Sequence, residues 1–259
     1  MNRRDQQIAE INANVNELRE DLLLSCRAQI IEAYRKASVI DRLANVIQLT
    51  DREPSDFRVL TNSEARRLAH FNDSSYSWDF YCKELGRSIA LAEERHVFEE
   101  LGRVSGRGQP IDATNPTLQA IVESIAELRT AGFTPGVLIA PISLYGPVFK
   151  GFKIDWEEGR YVVLADGYRL ELFWSSKVAP IDRFVVLDRR AGDWKVKLDP
   201  ESNERITVAI GRPKSPPGAV TFLAETVVKY EIVDHERLRV IEVVGEPPDE
   251  FGLEQATRQ

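Results

Sequence analysis

A few groups of residues in this sequence are of types that do chemistry. Glu93 and His96 stand at Glu-x-x-His spacing in LAEERHVF. On a helix those positions share a face, and two such motifs with two further carboxylates make a di-metal centre. The chain has 3 histidines. Arg67 and Ile232 lie three places before His70 and His235, so there is no second copy. The motif is therefore read without a metal, with His96 on the helix surface or at an interface. Asp155, Glu157 and Glu158 form an acidic cluster beside Trp156 and Gly159. Paired carboxylates serve acid–base catalysis, but this setting reads as a loop tip. Cys26 and Cys82, the 2 cysteines of the chain, have no metal-ligand spacing. They are expected as free thiols in a reducing compartment, without a disulfide framework.

Signatures of nucleophilic and phosphate chemistry are missing. Gly-x-Ser-x-Gly does not occur, and Ser105 lies in VSGRG without a strand–elbow–helix setting. Gly106-Arg107-Gly108 is not followed by Gly-Lys-Ser/Thr and reads as a flexible connector. The basic pair Arg66-Arg67 reads first as solvated surface. The expectation is no catalytic residue, no cofactor and no metal site.

The totals limit the function classes. The chain has 259 residues, 43% hydrophobic, with 34 basic and 41 acidic residues for a net charge of −7. That is enough apolar content for a substantial core in one large domain or two intimate ones. The acidic balance argues against a dedicated nucleic-acid binder. The N-terminus lacks the apolar region of a signal peptide, and no run approaches the about 18 apolar residues of a membrane span. The expectation is a soluble protein made in the cytoplasm.

The element that must position Glu93 and His96 is one long helix, Ser77–Leu101. Trp78, Tyr81, Leu85, Ile89 and Ala92 recur every three or four residues on it, and Gly102 supplies a stop. Before it, Ile8, Ile11, Val15, Leu18 and Leu22 form a narrow seam that predicts a helix over about residues 5–36. Such a seam suits an arm that clasps a neighbour or a helix lying on its own domain. Residues 48–76, broken by turn signals, predict a protruding, loosely structured loop or hairpin. Phe57 and Val59 sit on its extended segments.

After the long helix, Asn115-Pro116 starts a helix over 116–131 with Gly132 as its stop. Val137–Ala140 reads as a strand buried on both faces. Asp166-Gly167 joins strands 161–165 and 168–174 in a hairpin. Strands at 183–188, 194–198 and 205–210 follow, then an exposed turn at 212–218. Ala219–Val233 alternates over an unusual length and is expected to pair with Leu238–Val244. The last residues, from Gly245, read as a solvated tail.

This order resembles the capsid fold shared by tailed bacteriophages, herpesviruses and encapsulin nanocompartments. The resemblance covers roughly residues 20–244. It is carried by SYSWDFYCKELGRSIALAEERHVFEELG, NPTLQAIVESIAELRTAGFTPGVLIAPISLY, LELFWSSKVAPIDRFVVLD and TFLAETVVKYEIVDHERLRVIEV, in that order. The region Phe149–Gly167 is short for the family's apical domain, and the extended loop is compact.

The resemblance implies an α+β fold. It has an N-terminal arm (1–47), an extended loop (48–76), a spine helix and connector of the peripheral domain (77–115), an apical domain (116–218), closing strands of the peripheral domain (219–244) and a tail (245–259). It implies a structural, non-enzymatic major capsid protein whose copies form pentamers and hexamers of an icosahedral shell around double-stranded DNA. The location would be the virion, after assembly in the host cytoplasm. Portal, scaffold or decoration proteins would be partners, DNA would be held without sequence reading, and no membrane is involved. Subunit contacts are assigned to Ile8, Ile11, Val15, Leu18, Leu22, Phe57, Arg66 and Arg67. An encapsulin-like shell around a cargo protein is the alternative. A soluble α+β enzyme using the acidic cluster near Asp155 is the reading from another class.

Overall fold

The computed structural model describes residues 23–49, 56–67, 76–106, 110–113, 118–156, 160–175, 183–211 and 219–245. The fold is α+β and has two compact units. One comprises Met1–Val39, Gln48–Glu93 and Lys195–Lys229; the other comprises Ile40–Ile47, Glu94–Trp194 and Tyr230–Gln259.

In the first unit, helix α1 covers residues 23–37 and packs on α3, Tyr76–Gly102. At 27 residues α3 is about 40 Å long. Its buried face keeps Leu85 and Ile89 of the expected stripe but turns toward smaller residues. Cys82, Leu85, Ile89 and Ala90 are buried, whereas Tyr81 and Ala92 are half-buried. The reason is close approach. A Cβ on Gly86 would overlap the Ile30 carbonyl oxygen and lie 2.8 Å from the Tyr34 nitrogen. The smallest residue on α3 thus sets the contact line, and its neighbours one turn away are Cys82 and Ala90. Ile206, Val208, Phe222 and Ala224 complete this core.

The strands of this region form a five-stranded sheet. Its order is β1 (Asn45–Leu49), β9 (Gly192–Lys197), β11 (Ala219–Ile232), β10 (Thr207–Gly211), with β2 (Arg58–Arg67) also on β11. The segment expected as loosely structured is thus a strand for 10 residues, in antiparallel register from Arg58↔Val228 to Arg67↔Ala219. The 14-residue β11 supplies the template. Its alternation buries Phe222, Ala224, Thr226, Val228 and Tyr230.

The second unit is built on a seven-stranded mixed sheet. In order its strands are β3 (Ile111–Asp112), β12 (Leu238–Val244), β8 (Arg183–Leu187), β4 (Val137–Ala140), β7 (Arg169–Trp174), β6 (Tyr161–Val163) and β5 (Lys153–Asp155). The unbroken apolar run of β4 is explained by its place between β7 and β8, where all four residues are buried. Helix α4 (Gln119–Thr130) packs Ile121, Ile125 and Leu128 into the same core as Leu138, Leu172, Phe184, Val186 and Ile241. It ends in a Schellman motif. Phe133 N–H bonds Leu128 O, Gly132 N–H bonds Arg129 O, and Gly132 has φ 85°. Two short helices, α2 (Ile40–Leu43) and α5 (Tyr145–Gly151), complete the unit. The expected start of α4 at Pro116 lies outside the described residues, as do the 212–218 turn and all of the C-terminal tail beyond Gly245.

The expected pairing of β11 with β12 does not occur. β12 pairs with β8, Leu238 opposite Leu187, and β11 pairs with β10 and β2. The chain is diverted between the two strands. The Val233 and Asp234 amides bond Ala191 O, and the Arg237 guanidinium bonds Asp188 at 3.1 Å. Asp188 is buried and also accepts from the Thr134 and Arg190 amides. This corner holds the chain beside β8 before β12 begins.

Candidate functional site

The two residues of the Glu-x-x-His motif have separate partners. Glu93 is fully buried on α3. The Tyr34 hydroxyl on α1 donates to its Oε1 at 2.9 Å, and Ser38 Oγ donates to its Oε2 at 3.3 Å. Burial pushes the Glu93 carboxyl up to about 7, against the pull of these hydroxyls and of the Arg205 charge. Burial and the adjacent Glu93 charge also raise the Tyr34 phenol, so it keeps its proton and remains the donor. His96, expected on the helix surface or at an interface, is 5% exposed within the chain itself. Its ring packs edge-on against Trp194, with centroids 5.8 Å apart. Trp194 in turn lies 6.4 Å from the Tyr230 ring. Among the described residues, Trp194 Nε1 and Tyr230 OH are buried without a hydrogen-bond partner. No group of three His, Cys, Asp or Glu side chains converges among the described residues.

The remaining candidates are dispersed. Asp155 on β5 pairs with Arg169 on β7 at 2.8 Å, across the intervening β6, while Glu157 and Glu158 lie outside the described residues. The Gly106 amide donates to Glu242 at 3.1 Å, and Ser105 is exposed on the same connector. Ile8, Ile11, Val15, Leu18 and Leu22 fall outside the described residues. Phe57 is half-buried just before β2, and Arg66 and Arg67 are the last two residues of β2. Among the described residues, no helix is long and apolar enough to cross a membrane.

Two features were missed by motif reading. Cys26 and Cys82 lie together in one core cluster. Large apolar side chains also stand in solvent. In the first unit these include Leu24, Val59, Phe80 at 56% and Leu91 at 50% exposure. In the second they include Ile142, Tyr145, Trp156 and Val244. Phe80, Glu84, Arg87 and Leu91 recur every three or four residues, which places them on one outward face of α3. That second periodicity was available in the sequence, beneath the stronger core-facing one. Exposed apolar side chains at several points of a surface mark contact sites better than catalytic ones.

No protein-family model and no curated protein matches the sequence. Solved structures do match. A virus-like particle from Pyrococcus furiosus superposes with a TM-score of 0.58 at 14% identity, covering 84% of this chain and 98% of that one. This is the capsid fold. The mature capsid of bacteriophage PhiM1 matches with a TM-score of 0.55 at 10% identity, over 81% and 88% of the two chains. The holo-SrpI encapsulin complex from Synechococcus elongatus matches at 0.54 and 13%, over 80% and 88%. The capsid fold thus accounts for most of the chain.

Proposed function

We propose that this protein is the subunit of a self-assembling closed shell, a major capsid protein that encloses double-stranded DNA. The observation that carries the reading is the reach of the capsid fold, which spans nearly the whole length of the shell proteins it resembles. The buried polar groups of α3 support it, because they hold helices together and do not converge on a substrate-sized constellation. Exposed Phe80, Leu91, Trp156 and Tyr145 are the apolar surface that copies would cover in such a shell.

In this reading residues 1–47 are the arm, 48–76 the extended loop, 116–218 the apical domain and 219–244 the closing strands. Ile8, Ile11, Val15, Leu18 and Leu22 form the seam that clasps a neighbour, with Phe57, Arg66 and Arg67 contributing from the loop. Pentamers and hexamers then close the shell through many modest contacts acting together. The phage reading places the mature protein in the virion, after assembly in the host cytoplasm with portal, scaffold or decoration proteins.

Cryo-electron imaging of the purified chain tests this: round, closed particles are expected, and a field of single subunits at high concentration contradicts it. Deleting residues 1–22 is expected to abolish particles while leaving the far-ultraviolet dichroism of the folded chain intact. An encapsulin-like shell is the second reading, favoured by the match to an encapsulin complex. Nuclease-protected DNA inside particles supports the genome container; a co-purifying enclosed protein without DNA supports the compartment.

A further inference from the structure

The chain's two thiols lie in one packed core, beside a close contact between α1 and α3. Cys26 on α1 and Cys82 on α3 are each 2% exposed and belong to the same packed core. Each lies one turn before the point where the helices touch backbone to backbone, four residues ahead of Ile30 and of Gly86. The order Cys26–Ile30–Tyr34 against Cys82–Gly86–Ala90 means that α1 and α3 run side by side in the same direction. Both are free thiols in the structure. A disulfide needs Cβ atoms roughly 3.5–4.5 Å apart and sulfurs about 2.05 Å apart. The missing glycine side chain is what lets the helices come close enough for such a bridge.

We propose that Cys26 and Cys82 form an intrachain disulfide when the protein meets an oxidant, a redox-formed staple that fastens α1 to the long helix.

The oxidant class is a low-molecular-weight disulfide. The interaction between the two thiols holds Cys26 below its usual value and, with burial, pushes Cys82 above it. Cys26 therefore loses its proton first. Its thiolate attacks one sulfur of the small disulfide, forming a mixed disulfide and releasing one small thiolate, which takes up the proton. Cys82 then gives up its proton and attacks the Cys26 sulfur, and the second small thiol leaves. Two protein thiols are oxidised and one small disulfide is reduced to two thiols. Burial makes the first attack wait for a local opening of α1 from α3, so the bond forms slowly and resists reduction once made. The staple closes the loop from residue 26 to residue 82, which limits the unfolded chain.

This chemistry belongs to a single chain and stands apart from the shell reading: a monomeric chain still forms the bond. The test incubates the full-length protein with oxidised glutathione, then titrates thiols in denaturant and maps peptides without reduction. Two titratable thiols are expected to fall to none, with one peptide pair joined through Cys26 and Cys82. The thermal midpoint of the oxidised chain should rise by roughly 5–10 °C and return on treatment with dithiothreitol. Cys82→Ala should gain glutathione at Cys26 or keep its thiol, with no rise in midpoint. Two thiols persisting after oxidation in mild denaturant overturn the proposal. So do bonds found only between chains, or glutathione on both cysteines.

Discussion

Asp188 and Glu93 are both buried carboxyl side chains, but they are met differently. Asp188, at the corner that steers the chain into β12, is held by the Arg237 guanidinium and two backbone amides. Glu93, where α1 meets α3, is held by the hydroxyls of Tyr34 and Ser38, with the Arg205 charge acting through the field. A guanidinium supplies a full opposite charge; hydroxyls supply dipoles that only partly replace lost water. Asp188 is thus a charge-paired joint of the sheet unit, while burial makes the joint at Glu93 respond to pH. The same helix pair holds both thiols of the chain. The sheet core is built to stay put, and the helix pair carries the groups through which solution conditions can act on the fold.

Disrupting α3 outright has the largest effect. Ile89→Pro removes a backbone donor from the helix interior and replaces a fully buried side chain. A loss of about 5 kcal/mol is expected in urea unfolding, together with loss of particles. Asp188→Ala leaves two amides without their acceptor and takes from Arg237 one of its two carboxylate partners. It should cost roughly 3–4 kcal/mol in urea unfolding at neutral pH.

Glu93 adds a dependence on pH. Its folded carboxyl, at about 7, lies above the usual 4.5, so the folded state binds its proton more tightly than the unfolded chain does. The associated stability is fully present below pH 4.5 and lost as pH rises through 7. Relative to Glu93→Gln, the wild-type chain should lose about 3 kcal/mol between pH 4.5 and 8. Parallel pH profiles for the two proteins would remove the distinction from Asp188. The smallest effect is Gly86→Ala. On an exposed helix this change stabilises by about 1 kcal/mol. Here the added methyl meets the Ile30 and Tyr34 backbone, and a net loss of roughly 2 kcal/mol is expected on thermal melting.

Periodicity made much of the fold legible. The three-and-four spacing from Ser77 to Leu101 marked α3, and the alternation from Ala219 marked β11. Asp166-Gly167 marked the β6–β7 hairpin, with Val162 opposite Leu170. The partners were harder. Sequential strands tend to pair, so β11 and β12 read as a hairpin. The ties from Val233, Asp234 and Arg237 to the Asp188–Ala191 corner are tertiary and leave no local trace. The buried face of α3 was displaced because Gly86, Cys82 and Ala90 carry little apolar weight, although small size is what close packing required. His96 read as a helix-surface or interface residue, and the burial of Glu93 was not foreseen, because charged and ionisable residues are rarely buried alone. Their partners, Tyr34 and Trp194, come from 59 residues upstream and from a distant strand. Nothing in the spacing of two cysteines fifty-odd residues apart announces that they touch.

Sedimentation velocity of the purified wild-type protein tests the central claim most directly. The account predicts a fast, narrow boundary with a mass many times that of the 29.4 kDa chain, reduced to small species by Ile89→Pro. A single boundary at the mass of one chain, unchanged with rising concentration, would contradict it.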